Sequence, residues 1–173
     1  MTAAVDMRGS DLRRRLKPVM AAVLSAAAVA GLGALSTQLG PWYYRLHKPG
    51  WQPPDWLFGP AWTSIFATAA LAAVLYWRRE GDRDRRLLTV GVFAINGFLN
   101  TLWSLLFFRL QRPDWSLYEV GFLWLSILLL ILLLARASRA AALLLLPYLA
   151  WVSFASVLNL KIVELNAPFA TGG

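Results

Sequence analysis

Apolar positions in this chain neither alternate nor form narrow stripes; they come in long unbroken runs separated by short basic, polar or proline-rich segments. A helix rises 1.5 Å per residue and the hydrocarbon core of a bilayer is about 30 Å thick, so about 20 apolar residues suffice to cross it. Five runs meet that length. Residues 19–39, 57–77, 87–108 and 140–160 carry no charge, and 115–135 carries only Glu119, near its start. Continuous runs exclude the alternating strands of a membrane barrel. The pattern predicts an all-α membrane protein: a bundle of five transmembrane helices over 18–166, flanked by a basic tail over 1–17 and a short tail over 167–173. Its Pro/Trp-rich first outer loop is expected to cap a cavity.

Composition agrees, since 58% of the 173 residues are hydrophobic, more than a soluble domain carries. The net charge of +8 raises nucleic acid as a partner, but the placement of the charges argues against it. Five crossings put alternate connections on opposite sides of the membrane. One side collects twelve basic residues: Arg8, Arg13, Arg14, Arg15 and Lys17, the 78–86 loop, and Arg136 with Arg139. The other keeps Arg45, Lys48, Arg109, Arg112 and Lys161. By the positive-inside rule the N-terminus is expected in the cytoplasm, with the basic runs against anionic lipid. A basic stretch before an apolar run ending at Ser36 has the outline of a secretory signal, but the run exceeds the usual length of one and leads into the next segment without a polar spacer. With no cysteine, disulfides, thiolate metal sites and cysteine nucleophiles are excluded.

Between the first two runs, residues 41–62 hold four of the nine tryptophans and five of the nine prolines. Proline fixes φ, lacks a donor and pushes its predecessor out of the helical region, so a shaped, mostly non-helical cap is expected. Its indoles, with Arg45, His47 and Lys48 among them, suit a flat amphipathic anion. In the third run Asn96, Asn100, Trp103 and Phe107 share one helical stripe, and in the fifth Tyr148, Trp151, Ala155 and Asn159 share another. Carboxamides facing lipid tails are costly, so both stripes must face other helices or a lined cavity. Interhelical bonding alone accounts for either stripe; aromatic cap and two stripes together outline one flat-walled cavity. Ala22, Ala26, Ala30 and Ala34 form a small-residue row on the first run, for internal packing or a homodimer contact. The leucine-rich fourth run is expected to face lipid broadly, with Glu119 snorkelling or pairing with Arg112. His47 reads as an interfacial side chain. No catalytic dyad, phosphate loop or metal cluster is visible, so the reading is not an enzyme.

Trp42-Tyr43, Lys48-Pro49-x-Trp51-x-Pro53-Pro54, Trp62, Asn96-x-x-x-Asn100-x-x-Trp103 with Phe107-Phe108, and Pro147-Tyr148-x-x-Trp151 followed by Leu158-Asn159 and Leu165-Asn166 occur in this order. In that order the chain resembles the TspO/MBR family, the tryptophan-rich sensory proteins and translocator proteins, from about residue 19 to 166. The resemblance implies a five-helix membrane protein binding porphyrins such as protoporphyrin IX or haem beneath the first loop, in transport or sensing. Implied ligand contacts are Trp42, Tyr43, Trp51, Asn100, Trp103, Tyr148, Trp151 and Ala155. In that setting Arg45 and Lys48 are expected to anchor the propionates, with no resident metal and no obligatory cofactor. Two other roles stand beside this one: light-dependent porphyrin breakdown, associated in the family with tryptophans matching Trp42 and Trp151, and a ligand-free membrane scaffold. The sterol pattern of animal members needs a basic residue within five positions after Tyr148, and none occurs before Lys161, so sterol binding is not expected.

Overall fold

The computed structural model describes residues 2–37 and 39–169, with side chains from residue 16 onward within those limits. Helix α1 (Thr2–Ser36) is followed by the one-turn α2 (Pro41–Arg45), then α3 (Asp55–Arg79) and α4 (Arg83–Ser104). A π-helical turn (Leu105–Arg109) extends α4, and α5 (Pro113–Ala137), α6 (Arg139–Leu143) and α7 (Leu146–Asn166) complete the bundle. Five segments are long and apolar enough to cross a bilayer: Leu16–Ser36, Asp55–Arg79, Arg83–Arg109, Pro113–Ala137 and Arg139–Asn166. Among the described residues there is no strand. The basic stretch expected as a separate tail continues into the first span as helix, although its side chains up to Arg15 lie outside the described set, as do residues 170–173 of the C-terminal tail.

Local chemistry sets the boundaries. Proline stands at the start of α2, α5 and α7, where its missing N–H costs no intrahelical bond. The Asp82 carboxylate accepts from the N–H groups of Asp84 (2.8 Å) and Arg85 (3.1 Å), capping α4. Those backbone bonds, that to Arg85 foremost, hold its carboxyl below the usual carboxylate range. Ser138 caps α6 through Ala141 N–H (3.2 Å) and binds Arg79 Nη1 (2.8 Å), fastening the 138–139 break to the end of α3.

The order of burial overturns one expectation. Helix α5, read as the broadly lipid-facing span, is the centre of the bundle: Ser116, Glu119, Val120, Leu123, Ser126, Ile127, Leu130 and Leu134 are all buried against α4, α6 and α7. Leucine content alone does not separate lipid from protein, whereas the Ser116, Glu119 and Ser126 stripe marks the protein-facing side. Three apolar layers stack along it. The innermost joins Tyr76, Val92, Leu130, Leu134 and Leu145; the middle one Ile65, Leu123, Ile127, Tyr148 and Val152; the outermost, under the cap, Tyr43, Phe107, Leu158 and Ile162.

Helix α1 lies at the periphery against α3 and α4, with Met20, Leu24, Leu32 and Leu35 exposed. Ala22, Ala26 and Ala30 of the small-residue row are half-buried, on the same side as Val29. A Cβ built on Gly97 of α4 would come within 2.8 Å of Val29 Cγ2, so the α1–α4 approach depends on glycine there. Gly97→Leu is expected to push α1 away and cost about 1–3 kcal/mol, read as a lower melting temperature in detergent; Val29→Ala should recover most of the loss in Gly97→Ala. An unchanged melting temperature in Gly97→Leu would mean that α1 packs loosely.

Candidate functional site

The roof is built around Tyr43. Its hydroxyl donates to Asp55 Oδ1 (2.7 Å) and accepts from Gln52 Nε2 (3.2 Å), tying α2 to the start of α3. Its ring packs against Phe108 at 5.7 Å, and Lys48 Nζ lies 3.5 Å above the ring centroid. Burial first, and Asp55 second, hold the Tyr43 phenol far above its ordinary value, so it stays protonated as a donor; burial likewise pulls Lys48 down against the opposing pull of Asp55. The roof's other fastening is Asn166, at the outer end of α7, which accepts from His47 N–H and donates to His47 carbonyl, both at 2.8 Å. That bond pair explains the Leu165-Asn166 motif.

Below the roof the aromatic side chains converge. Trp42 meets Phe107 edge-on at 6.1 Å, Phe107 stacks on Trp103 at 5.1 Å, and Trp103 meets Phe108 at 6.1 Å. From the other wall Phe58 meets Trp151 at 5.7 Å and Phe154 bridges Trp151 (5.7 Å) and the half-exposed Trp51 (5.8 Å). The π-helical turn makes this possible on the α4 side. Its i to i−5 bond, Leu110 N–H to Leu105 carbonyl (2.9 Å), inserts an extra residue, and Gln111 then reverses the chain at a left-handed φ of 54°. Phe107 and Phe108 thus both turn inward, where regular helical spacing on the Asn96 stripe accounted for Phe107 alone.

Deeper, the two stripes meet directly. Tyr148 hydroxyl donates to Asn96 Oδ1 (3.2 Å) and accepts from Asn100 Nδ2 (3.2 Å), while Asn96 Nδ2 donates to Ser126 Oγ (2.8 Å), so α4, α5 and α7 share one buried network. Asn100 and Tyr148, expected as ligand contacts, bond each other. Asn159 serves α5: in the orientation satisfying both ends of its amide, Nδ2 donates to Pro113 carbonyl (3.0 Å) and Oδ1 accepts from Ser116 Oγ (2.9 Å) and Leu117 N–H (3.2 Å). Trp124 Nε1 donates to Ser153 Oγ (2.8 Å). Between the roof and this network, three groups among the described residues have no protein partner: the buried indole nitrogens of Trp103 and Trp151, and both carboxylate oxygens of Glu119, which is 6% exposed. The expected snorkelling or pairing of Glu119 with Arg112 is therefore corrected. Arg112 is held by Asp114 through both carboxylate oxygens and stacks on Trp115 at 4.2 Å.

The ten expected contact residues thus fall into three groups. Trp42 and Trp103 share one set of ring contacts with Tyr43, and Trp151 and Trp51 share another through Phe154; the two sets pack on the same Tyr43, Phe107, Leu158 and Ile162 cluster, with the half-buried Ala155 one turn from Trp151. Asn100 and Tyr148 form the bonded floor. Arg45 faces outward with Trp42, Arg112 and Trp115 into a hollow of about 580 Å³ on the outer surface, whereas Lys48 is committed to the Tyr43 ring. Ser156 lies on the opposite side of the α5–α7 seam, in an apolar groove of about 820 Å³ with Gly121, Trp124 and Ser153. Glu119 is the group that sequence reasoning undervalued; its place on the Ser116–Ser126 stripe was the available signal. Among the described residues no cluster of three or more His, Asp or Glu is placed to hold a metal ion.

Comparison with known proteins then gives a consistent picture. The family model described as TspO/MBR family matches residues 20–165. The chain is 48% identical to the tryptophan-rich protein TspO of Chlorobaculum tepidum over 132 residues, covering 72% of this chain and 80% of that protein. It is 38% identical to the tryptophan-rich protein TspO of Archaeoglobus fulgidus over 151 residues, 86% of this chain and 97% of that protein. It is 30% identical to the human translocator protein over 119 residues, 68% of this chain and 70% of that protein.

Two outcomes test this geometry. Tyr148→Phe strands Asn96 Oδ1 and Asn100 Nδ2 and is expected to cost about 0.5–2 kcal/mol in a thermal melt; no change would mean the network carries no stability. Asn166→Ala is expected to speed proteolysis within residues 46–54 several-fold while leaving the spans protected, and equal cleavage rates would show that the roof is held elsewhere.

Proposed function

The chain belongs to the TspO/MBR family, and from that membership we propose that it is a multi-pass membrane protein that binds tetrapyrroles, porphyrin or haem, and acts in their transport or sensing. It binds and passes on or reports its ligand rather than transforming it. The observation that carries this reading is the convergence of Trp42, Trp103 and Trp151 from three separate segments on one aromatic layer, the last two with unspent N–H donors, below an outer hollow that Trp42 and Arg45 line together. Flat rings offer stacking walls, and a cation at the outer hollow anchors propionates. The aromatic contacts fill the interior here, so binding requires the rings to separate. Two indole faces burying about 150 Å² each, at about 25 cal/mol/Å², contribute about 7 kcal/mol before ordering costs, which limits stacking alone to micromolar affinity. The charge asymmetry between the two sides supports a cytoplasmic N-terminus, and the likeness to the Chlorobaculum tepidum protein supports a bacterial cell membrane.

The bonded Asn96–Tyr148–Asn100 floor favours a second reading, a ligand-free scaffold in which these stripes serve packing alone. One titration separates them. Protoporphyrin IX is expected to quench tryptophan fluorescence of the purified protein with a micromolar midpoint and to raise its melting temperature. Trp42→Phe with Trp151→Phe should weaken the midpoint about tenfold, and Arg45→Ala should weaken it mainly at low salt. A binding curve unchanged in the double variant would overturn the pocket; no quenching and no thermal shift in the wild type would favour the scaffold.

A further inference from the structure

The π-helical step at Leu105–Arg109 and the left-handed turn at Gln111 bring a second guanidinium to the outer hollow. Arg112 N–H donates to Leu106 carbonyl (2.9 Å) and Arg112 carbonyl accepts from Ser116 N–H (3.1 Å), so its backbone is pinned between the end of α4 and the start of α5. Its side chain is pinned as well. Nε and Nη2 donate to the two carboxylate oxygens of Asp114, and the guanidinium lies 4.2 Å from the centre of the Trp115 ring. That leaves Nη1 outside the pair, on a side chain only 14% exposed. Arg112 and Trp115 both line the hollow, and so do Trp42 and Arg45, which stand one turn apart on α2. Trp42 also meets Phe107, which joins the hollow to the aromatic layer below.

Among the described residues no acidic side chain lines this hollow, and Arg45 makes no ion pair. The hollow therefore presents two guanidinium groups between indole walls, a setting for carboxylates carried on a flat apolar body. Protoporphyrin IX bears its two propionates side by side on one edge, so both enter the same hollow. Lys48 is not available to the second, because its Nζ lies 3.5 Å above the Tyr43 ring. We propose that Arg112 is the second carboxylate anchor beside Arg45, and that the hollow thereby selects rings with two free acids on one edge. The inference rests on the tetrapyrrole reading above. Asp114 plays two opposed parts in it. By holding the Arg112 fork in place it spares ordering cost on binding, and by occupying two of the three nitrogens it offsets the charge that a ligand carboxylate meets.

The test is to titrate the full chain in detergent with protoporphyrin IX and with its dimethyl ester, which share one ring, following tryptophan quenching. The wild type is expected to bind the diacid roughly tenfold more tightly than the diester, as two partly exposed charge-assisted contacts allow, with the ratio falling as salt rises. Arg45→Ala and Arg112→Ala should each lower that ratio to about threefold, and the double variant should bring it to about one by weakening the diacid alone. Alanine at 112 also removes the ion pair at the start of α5, so Asp114→Asn supplies the second measurement. It breaks the same pair but releases the Arg112 fork, and should widen the ratio. A ratio unchanged in Arg112→Ala, or an Asp114→Asn variant that weakens both rings alike, overturns Arg112 as an anchor while leaving the ligand reading standing. Equal binding of diacid and diester by the wild type overturns both anchors. Failure of either ring to bind the wild type overturns the tetrapyrrole reading itself.

Discussion

Hydrocarbon offers a polar side chain nothing to bond, and that constraint organises this bundle. Helices in lipid gain little by burying leucine against leucine, so the choice of which helix sits at the centre falls to the few groups that must leave the lipid. Helix α5 carries Ser116, Glu119 and Ser126 on one stripe, and α4 and α7 bring Asn96, Asn100, Tyr148 and Asn159 to meet it. The antiparallel registers of α4 and α7 against α5 are fixed by these bonds. Apolar side chains then fill the layers between them, and the bulky residues left over on α1 and on the outer faces of α5 and α7 are exposed, as lipid requires.

Above that bonded floor the molecule changes character. The Asn–Tyr–Asn triad leaves Tyr148 almost wholly buried, whereas the layer toward the roof is held by ring edges and faces, with two indole donors unspent. Ring contacts are individually weak and tolerate rearrangement, while a hydrogen bond broken in hydrocarbon leaves stranded groups. A cavity that opens for a flat ligand therefore opens between the tryptophans and not through the floor.

Much of this was legible in the sequence. Run length yielded five crossings within a few residues of their ends, and four-residue spacing placed Asn96 and Asn100 facing inward. Proline clustering marked the cap, though it concealed the short helix at Pro41–Arg45, whose first residue is a proline that needs no donor. Hydropathy misplaced α5, because it scores a leucine equally well against lipid or protein. Glu119 was read through a nearby arginine that Asp114, only two residues from Arg112, claims first. The inward turn of Phe108 depends on a π-helical step that no regular period contains.

The tie between His47 and Asn166 spans 119 positions of sequence, and it changes what the roof is mechanically. A flap hinged only at its two chain ends swings independently of what lies below. This one is bolted at its middle to α7, the helix that also carries Trp151 and, through Tyr148, the floor. Any tilt of that helix as the rings part is delivered to the outer surface as a displacement of the crossbar, and a partner resting on the crossbar would press back on the rings through the same lever.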